Sequence, residues 1–85
     1  MKIVLSKEAE KSYAKLPFSI KKKADKQFNF LATNIKHPSL RVKKMQGLPF
    51  YEARIDYHYR FIFSIGATSI TIITLGPHDE GLGKN

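Results

Sequence analysis

From residue 50 onward the chain stops repeating every three or four residues and starts to alternate. In Phe50-Tyr51-Glu52-Ala53-Arg54-Ile55-Asp56, an extended backbone puts Tyr51, Ala53 and Ile55 on one side and Glu52, Arg54 and Asp56 on the other. The run Tyr59 to Ile65 repeats the pattern, with Tyr59, Phe61, Phe63 and Ile65 set against Arg60, Ile62 and Ser64. Gly66-Ala67-Thr68 then supports a hairpin into a third run, Ser69 to Leu75, rich in β-branched residues. A sheet built this way has one apolar face that something must cover.

The cover lies upstream. Ser6 offers an N-cap, Glu8 and Glu10 occupy the first turn where the helix dipole favours acids, and Ala9, Tyr13 and Leu16 recur at helical spacing. Pro17 ends that helix and opens the next, whose apolar stripe is Ile20, Ala24, Phe28, Leu31 and Ala32; Asn34 and His37-Pro38 close it. Lys2 to Leu5 reads as a short leading strand and Arg41 to Met45 as an outer strand guarded by lysines, followed by a turn at Gln46 to Pro49. The expected fold is α+β: an N-terminal strand, an α-hairpin, then a four-strand antiparallel meander with the helices packed on one face. With 85 residues, the expectation is a single domain spanning 1–85.

Register decides where the charges meet. If Asp56-Tyr57-His58 is an odd-numbered loop, Arg54 lies opposite Arg60 and the aromatic sets share the covered face; a two-residue loop would mix the faces. Like charges set opposite each other on a sheet cost stability, so an anion is expected between them. It is either an internal partner, Glu52, forming a weak solvated cluster, or an external phosphate gripped by both guanidiniums. Arg60 is expected to face solvent in either case. Fifteen basic residues against seven acidic ones give a net charge of +8, which favours a polyanionic partner, nucleic acid or acidic protein.

His78 follows Gly76-Pro77 where the last strand leaves the sheet, and beside cationic residues an imidazole can exchange protons with a substrate. Asp79 and Glu80 are placed to orient it or to sit exposed in a tail. Lys43 and Lys44 add positive potential, one of them reaching the same face, and Arg41 stands beside them. His37 and His58 are weaker candidates, one before a proline and one in a hairpin turn. No spacing suggests metal ligands, and the absence of cysteine removes disulfides and thiolate sites, which suits a reducing cytoplasm. The longest apolar run, Ile70 to Leu75, falls far short of a membrane span, and the lysine at position 2 with its charged helix does not resemble a signal peptide.

The order of elements, the Leu16-Pro17 break and the segments Tyr51-Glu52-Ala53-Arg54-Ile55, Tyr59-Arg60-Phe61-Ile62-Phe63 and Ile73-Thr74-Leu75-Gly76-Pro77-His78 resemble the RelE/ParE toxin superfamily, in its HigB-, YafQ- and YoeB-like branch. The resemblance implies the toxin of a type II toxin–antitoxin module. Such a toxin is a metal-independent, ribosome-dependent endoribonuclease that cleaves mRNA by 2′-OH attack, needs no cofactor and is silenced by a cognate antitoxin. By position, it implies that Arg60 stabilises the phosphorane, Arg54 grips a phosphate, His78 protonates the leaving oxygen and Glu52 serves as general base. Lys43, Lys44, Arg41 and Asp79 would then contact RNA. Relatives often carry an aromatic residue just after the histidine, where this tail reads Asp79-Glu80-Gly81-Leu82-Gly83. Two alternatives stay open: a ParE-like inhibitor of DNA gyrase, and a catalytically degenerate member that only binds its antitoxin.

Overall fold

The computed structural model describes residues 1–78 of the chain. Strand β1 (Lys2–Leu5) leads into helix α1 (Lys7–Ala14) and helix α2 (Phe18–Thr33). A single 3-10 turn (Pro38–Leu40) precedes β2 (Lys43–Lys44), β3 (Tyr51–Arg54), β4 (Tyr59–Ile65) and β5 (Ser69–Pro77). The sheet order is β1-β5-β4-β3-β2; every neighbouring pair is antiparallel except β1 with β5. The expected α+β architecture is present, meander included.

Local chemistry sets the boundaries. Ser6 caps α1, its Oγ accepting from the Ala9 N–H at 3.0 Å while donating to the Ile73 carbonyl at 2.7 Å. Pro17 occupies the N-cap position of α2, where a missing N–H costs nothing. Leu16 lies just beyond α1 and is buried all the same.

The outer strand is shorter than the alternation suggested. Only Lys43 and Lys44 pair, with Glu52 and Tyr51, and Arg41 is no strand residue. It terminates the 3-10 turn in the left-handed region (φ 49°), a conformation that costs a non-glycine residue roughly 1–2 kcal/mol. Leu40, fully buried one residue earlier, is the anchor that holds the turn in place.

One face of the sheet carries the core. Ala53, Phe61, Phe63, Ile70, Ile72 and Leu75 meet Ala9, Ala24, Phe28 and Leu31 from the helices, and the Phe28 and Phe61 rings pack edge to face at 5.2 Å. Burying each large side chain contributes about 1.5–3 kcal/mol. Along β4 and β5 the pairing runs Phe61 to Leu75 and Ile62 to Thr74, then skips to Phe63 opposite Ile72. Ile73 is therefore an extra residue, a β-bulge located where the Ser6 hydroxyl takes its carbonyl.

Candidate functional site

The β3–β4 hairpin turns at Asp56-Tyr57-His58 and sets Arg54 directly opposite Arg60, with Ile55 N–H bonded to the Tyr59 carbonyl at 2.9 Å. The Asp56 carboxylate shapes this loop, its Oδ1 accepting from the N–H groups of His58 and Tyr59, each at 2.9 Å. Its Oδ2 takes Lys23 at 3.4 Å. Partial burial pushes the Asp56 carboxyl up, but the N–H groups of Tyr59 and His58 and the Lys23 ammonium together bring it below its ordinary value.

Arg41, Lys43, Glu52, Ala53, Arg54, Arg60 and His78 line one cleft of about 310 Å³. Five of the expected site residues (Arg41, Lys43, Glu52, Arg54, Arg60) thus converge with the sixth, His78. Register explains it. Lys43 pairs with Glu52, Arg54 with Arg60 and Arg60 with Gly76, so these side chains share the face away from the helices, and His78 follows Gly76 by two residues. Lys44 pairs with Tyr51 on the other parity and stands exposed, outside the cleft. Asp79 lies outside the described residues.

The expectation that Arg60 faces solvent is overturned: it is only 8% exposed. Its Nη1 donates to the carbonyls of Asp56 (2.8 Å), Tyr57 (2.7 Å) and, more weakly, Tyr59 (3.3 Å). The cause is the hairpin itself, whose tight loop leaves carbonyls that need a donor, and a charged fork is a strong one. Nε and Nη2 have no partner among the described residues. One edge of the guanidinium is fixed to the loop, and the other remains available to an anion.

Glu52 does not form the internal ion pair that would have neutralised the arginines. Among the described residues the one ion pair is Lys23 with Asp56, and Glu52 Oε2 is buried without a hydrogen-bond partner. His78 Nδ1 is also buried with no partner among the described residues, although the His78 N–H is anchored on the His58 carbonyl at 2.7 Å. The residues that carry these two atoms, one an acceptor and one able to give or take a proton, line one cleft with two guanidiniums. Buried polar groups are nearly always satisfied, and exceptions of this kind cluster at functional sites.

Two residues not expected from the sequence, Gln27 and Tyr57, and one weaker candidate, His37, support this site. Gln27 is buried on α2, its Nε2 donating to the carbonyls of Arg54 (3.0 Å) and Ser39 (3.2 Å), so it ties the β3 end to the 3-10 turn. His37 stacks on Phe30 with centroids 3.7 Å apart, and its Nδ1 pairs with the Ser39 hydroxyl at 2.9 Å. Tyr57 stands 71% exposed at the hairpin tip, with Arg54 Cζ 5.8 Å from its ring centre. The signal for Gln27 was there: it sits among Ala24, Phe28 and Leu31 on a stripe where only apolar residues were expected. Among the described residues no group of three or more His, Asp or Glu is placed to hold a metal ion.

No family model matches this chain, and no curated protein matches it. Solved structures do. A YoeB/ParE toxin from Agrobacterium tumefaciens aligns with a TM-score of 0.79 at 14% identity, over 92% of this chain and 99% of that one. RelE in the archaeal RelE–RelB complex from Pyrococcus horikoshii aligns with a TM-score of 0.78 at 22% identity, over 93% and 96%. YafQ from Escherichia coli aligns with a TM-score of 0.76 at 13% identity, over 91% and 92%. The chain has the α+β fold of the small toxins of bacterial and archaeal toxin–antitoxin pairs. More narrowly, that fold is the RelE/ParE one, in the form shared by YoeB, YafQ and RelE.

Proposed function

We propose that this protein is the toxin of a type II toxin–antitoxin module, acting in the cytoplasm as a metal-independent, ribosome-dependent mRNA endoribonuclease. The observation that carries the reading is the convergence of Glu52 and His78 with Arg54 and Arg60 on one cleft, Glu52 Oε2 and His78 Nδ1 having no hydrogen-bond partner among the described residues. In the reaction, Glu52 takes the proton of a ribose 2′-OH as its oxygen attacks the adjacent phosphorus. The P–O5′ bond breaks, His78 gives a proton to the departing O5′, and the products are a 2′,3′-cyclic phosphate and a 5′-hydroxyl. The free edge of Arg60 meets the charge that builds on the equatorial oxygens, and because three carbonyls already hold its other edge it need not reorganise. Arg54 grips the same or a flanking phosphate bidentately. Lys43 and Arg41 raise the local potential that draws the backbone in.

The structures that share the fold support an antitoxin partner: RelE was solved with RelB, and YoeB from Staphylococcus aureus with YefM. No described helix is long and apolar enough to cross a membrane.

The test is expression of the full chain in cells, with 5′ ends of transcripts mapped across coding regions. Breaks phased to codons are expected. Intact transcripts with stalled replication would sink the nuclease reading in favour of gyrase inhibition. His78→Ala should slow cleavage by about a hundredfold or more while ribosome affinity holds; a collapse of binding instead would make the histidine a positioning residue.

A further inference from the structure

A second cleft, about 600 Å³, lies between α2, the 3-10 turn and the β3–β4 hairpin. It meets the first at Arg41 and Arg54, which line both. Four cations border it, Lys23, Lys26, Arg41 and Arg54, against one carboxylate, Asp56, among the described residues. That carboxylate is already engaged on both oxygens, by two loop N–H groups and by Lys23, so it offers little repulsion to an incoming phosphate. Tyr57, a residue 71% exposed, forms the rim. The ring meets Arg54 (Cζ 5.8 Å from its centre) and, edge to face, His58 (centroids 5.0 Å apart), and is otherwise open to solvent, where a flat group can stack.

We infer that this second cleft holds the nucleotide on the 5′ side of the cut, its base stacked on Tyr57 and its phosphate drawn between Lys26, Arg41 and Arg54. The inference rests on the nuclease reading above and adds where the substrate strand runs. Its direction follows from the sheet order. His78 follows β5, Arg60 sits on β4 and Arg54 on β3, so with His78 at the leaving O5′ the 3′ nucleotide lies on the β5 side. The 5′ nucleotide then crosses Arg54 into the second cleft. A single strand is the class of ligand that fits, because a basic channel interleaved with an exposed aromatic binds unstacked bases and backbone together. An acidic peptide would use the cations and have no use for the ring face.

The probe is a 2′-O-methyl RNA pentamer, which lacks the nucleophile, carrying 2-aminopurine immediately 5′ of its central phosphate. Full-length protein should bind it and quench the fluorophore. Tyr57→Ala should weaken binding about tenfold and abolish the quench, whereas Tyr57→Phe should keep both. Lys26→Glu should weaken binding severalfold and flatten its salt dependence. The inference is overturned if Tyr57→Ala matches the wild type in affinity and quench, or if the wild type does not bind the pentamer. It is also overturned if a poly-glutamate peptide shows the Tyr57 dependence and the RNA does not. Codon-phased transcript breaks combined with a flat Tyr57 result would remove this cleft and leave the nuclease reading standing. Tyr57-dependent pentamer binding with intact transcripts would support the cleft and remove the nuclease.

Discussion

The two faces of this sheet are made from the same strands, residue by residue in alternation, and they are organised on opposite principles. On the helix side every buried group is satisfied by packing: Phe61, Phe63 and Ile72 are fully enclosed among other apolar side chains. On the other side Glu52 and Arg60 are nearly as buried, at 9% and 8% exposure, yet Glu52 Oε2 and His78 Nδ1 find no partner among the described residues. The first face stabilises the molecule. The second holds unfavourable contacts in place, and the first supplies the rigidity that lets it do so.

That contrast can be broken by matched substitutions. Phe61→Ala on the packed face should cost about 3–5 kcal/mol in urea unfolding, because it leaves a cavity against Phe28 and Phe63. Glu52→Gln on the other face should leave stability at or above wild type while cleavage falls about a hundredfold. If Glu52→Gln unfolded the protein instead, the carboxylate would be a structural group and the contrast would fail.

Arg60 sits between the two roles. Arg60→Ala should abolish cleavage and also cost about 2 kcal/mol, since three loop carbonyls lose their donor. An alanine variant with unchanged unfolding midpoint would show that the hairpin closes without it. Arg41 gives a smaller effect of the opposite sign. Arg41→Gly relieves the left-handed strain but adds unfolded-state entropy, so a net gain of about 0.5 kcal/mol is expected, with weaker RNA binding from the lost cation.

The smallest effect is in acid. A carboxyl whose folded-state value is depressed contributes stability that is present above its unfolded pKa and is lost as pH falls through the folded one. Asp56 therefore makes the hairpin acid-sensitive below about pH 4. Asp56→Asn should flatten that part of the stability profile while the loop N–H groups keep an acceptor. An unaltered acid limb would mean that Lys23 and the loop do not favour the charged form.

Much of this was legible in the residues. Alternation, together with a three-residue loop at Asp56-Tyr57-His58, pointed to the pairing of Arg54 with Arg60, since a one-residue slip would turn charge toward Phe28 and Leu31. It also placed Glu52 on the same side as the arginines but left open which of Lys43 and Lys44 joins them, which the pairing of Lys43 with Glu52 decides. What alternation does not encode is how deep a face lies. Arg60 was expected in water because its parity pointed away from the helices, but a guanidinium next to a tight loop folds back onto the carbonyls it can reach. Arg41 was read as a strand residue because nothing in a side chain announces a left-handed backbone, and the buried Leu40 beside it imposes the turn. Gln27 was overlooked because a glutamine on a helix looks like surface until its two carbonyl partners are brought to it from distant parts of the chain.

The extra residue at Ile73 acts on the last strand as a half-period phase slip. With strict alternation from Ile70 and Ile72, the even-numbered positions through residue 78 would all point at the helices. The single inserted step inverts that parity, so Leu75 turns inward to meet Phe61 while Gly76, and with it the imidazole two places on, comes out beside the guanidiniums. Excising one residue there would re-time the strand and send the histidine to the wrong side of the molecule, without changing any side chain in the cleft.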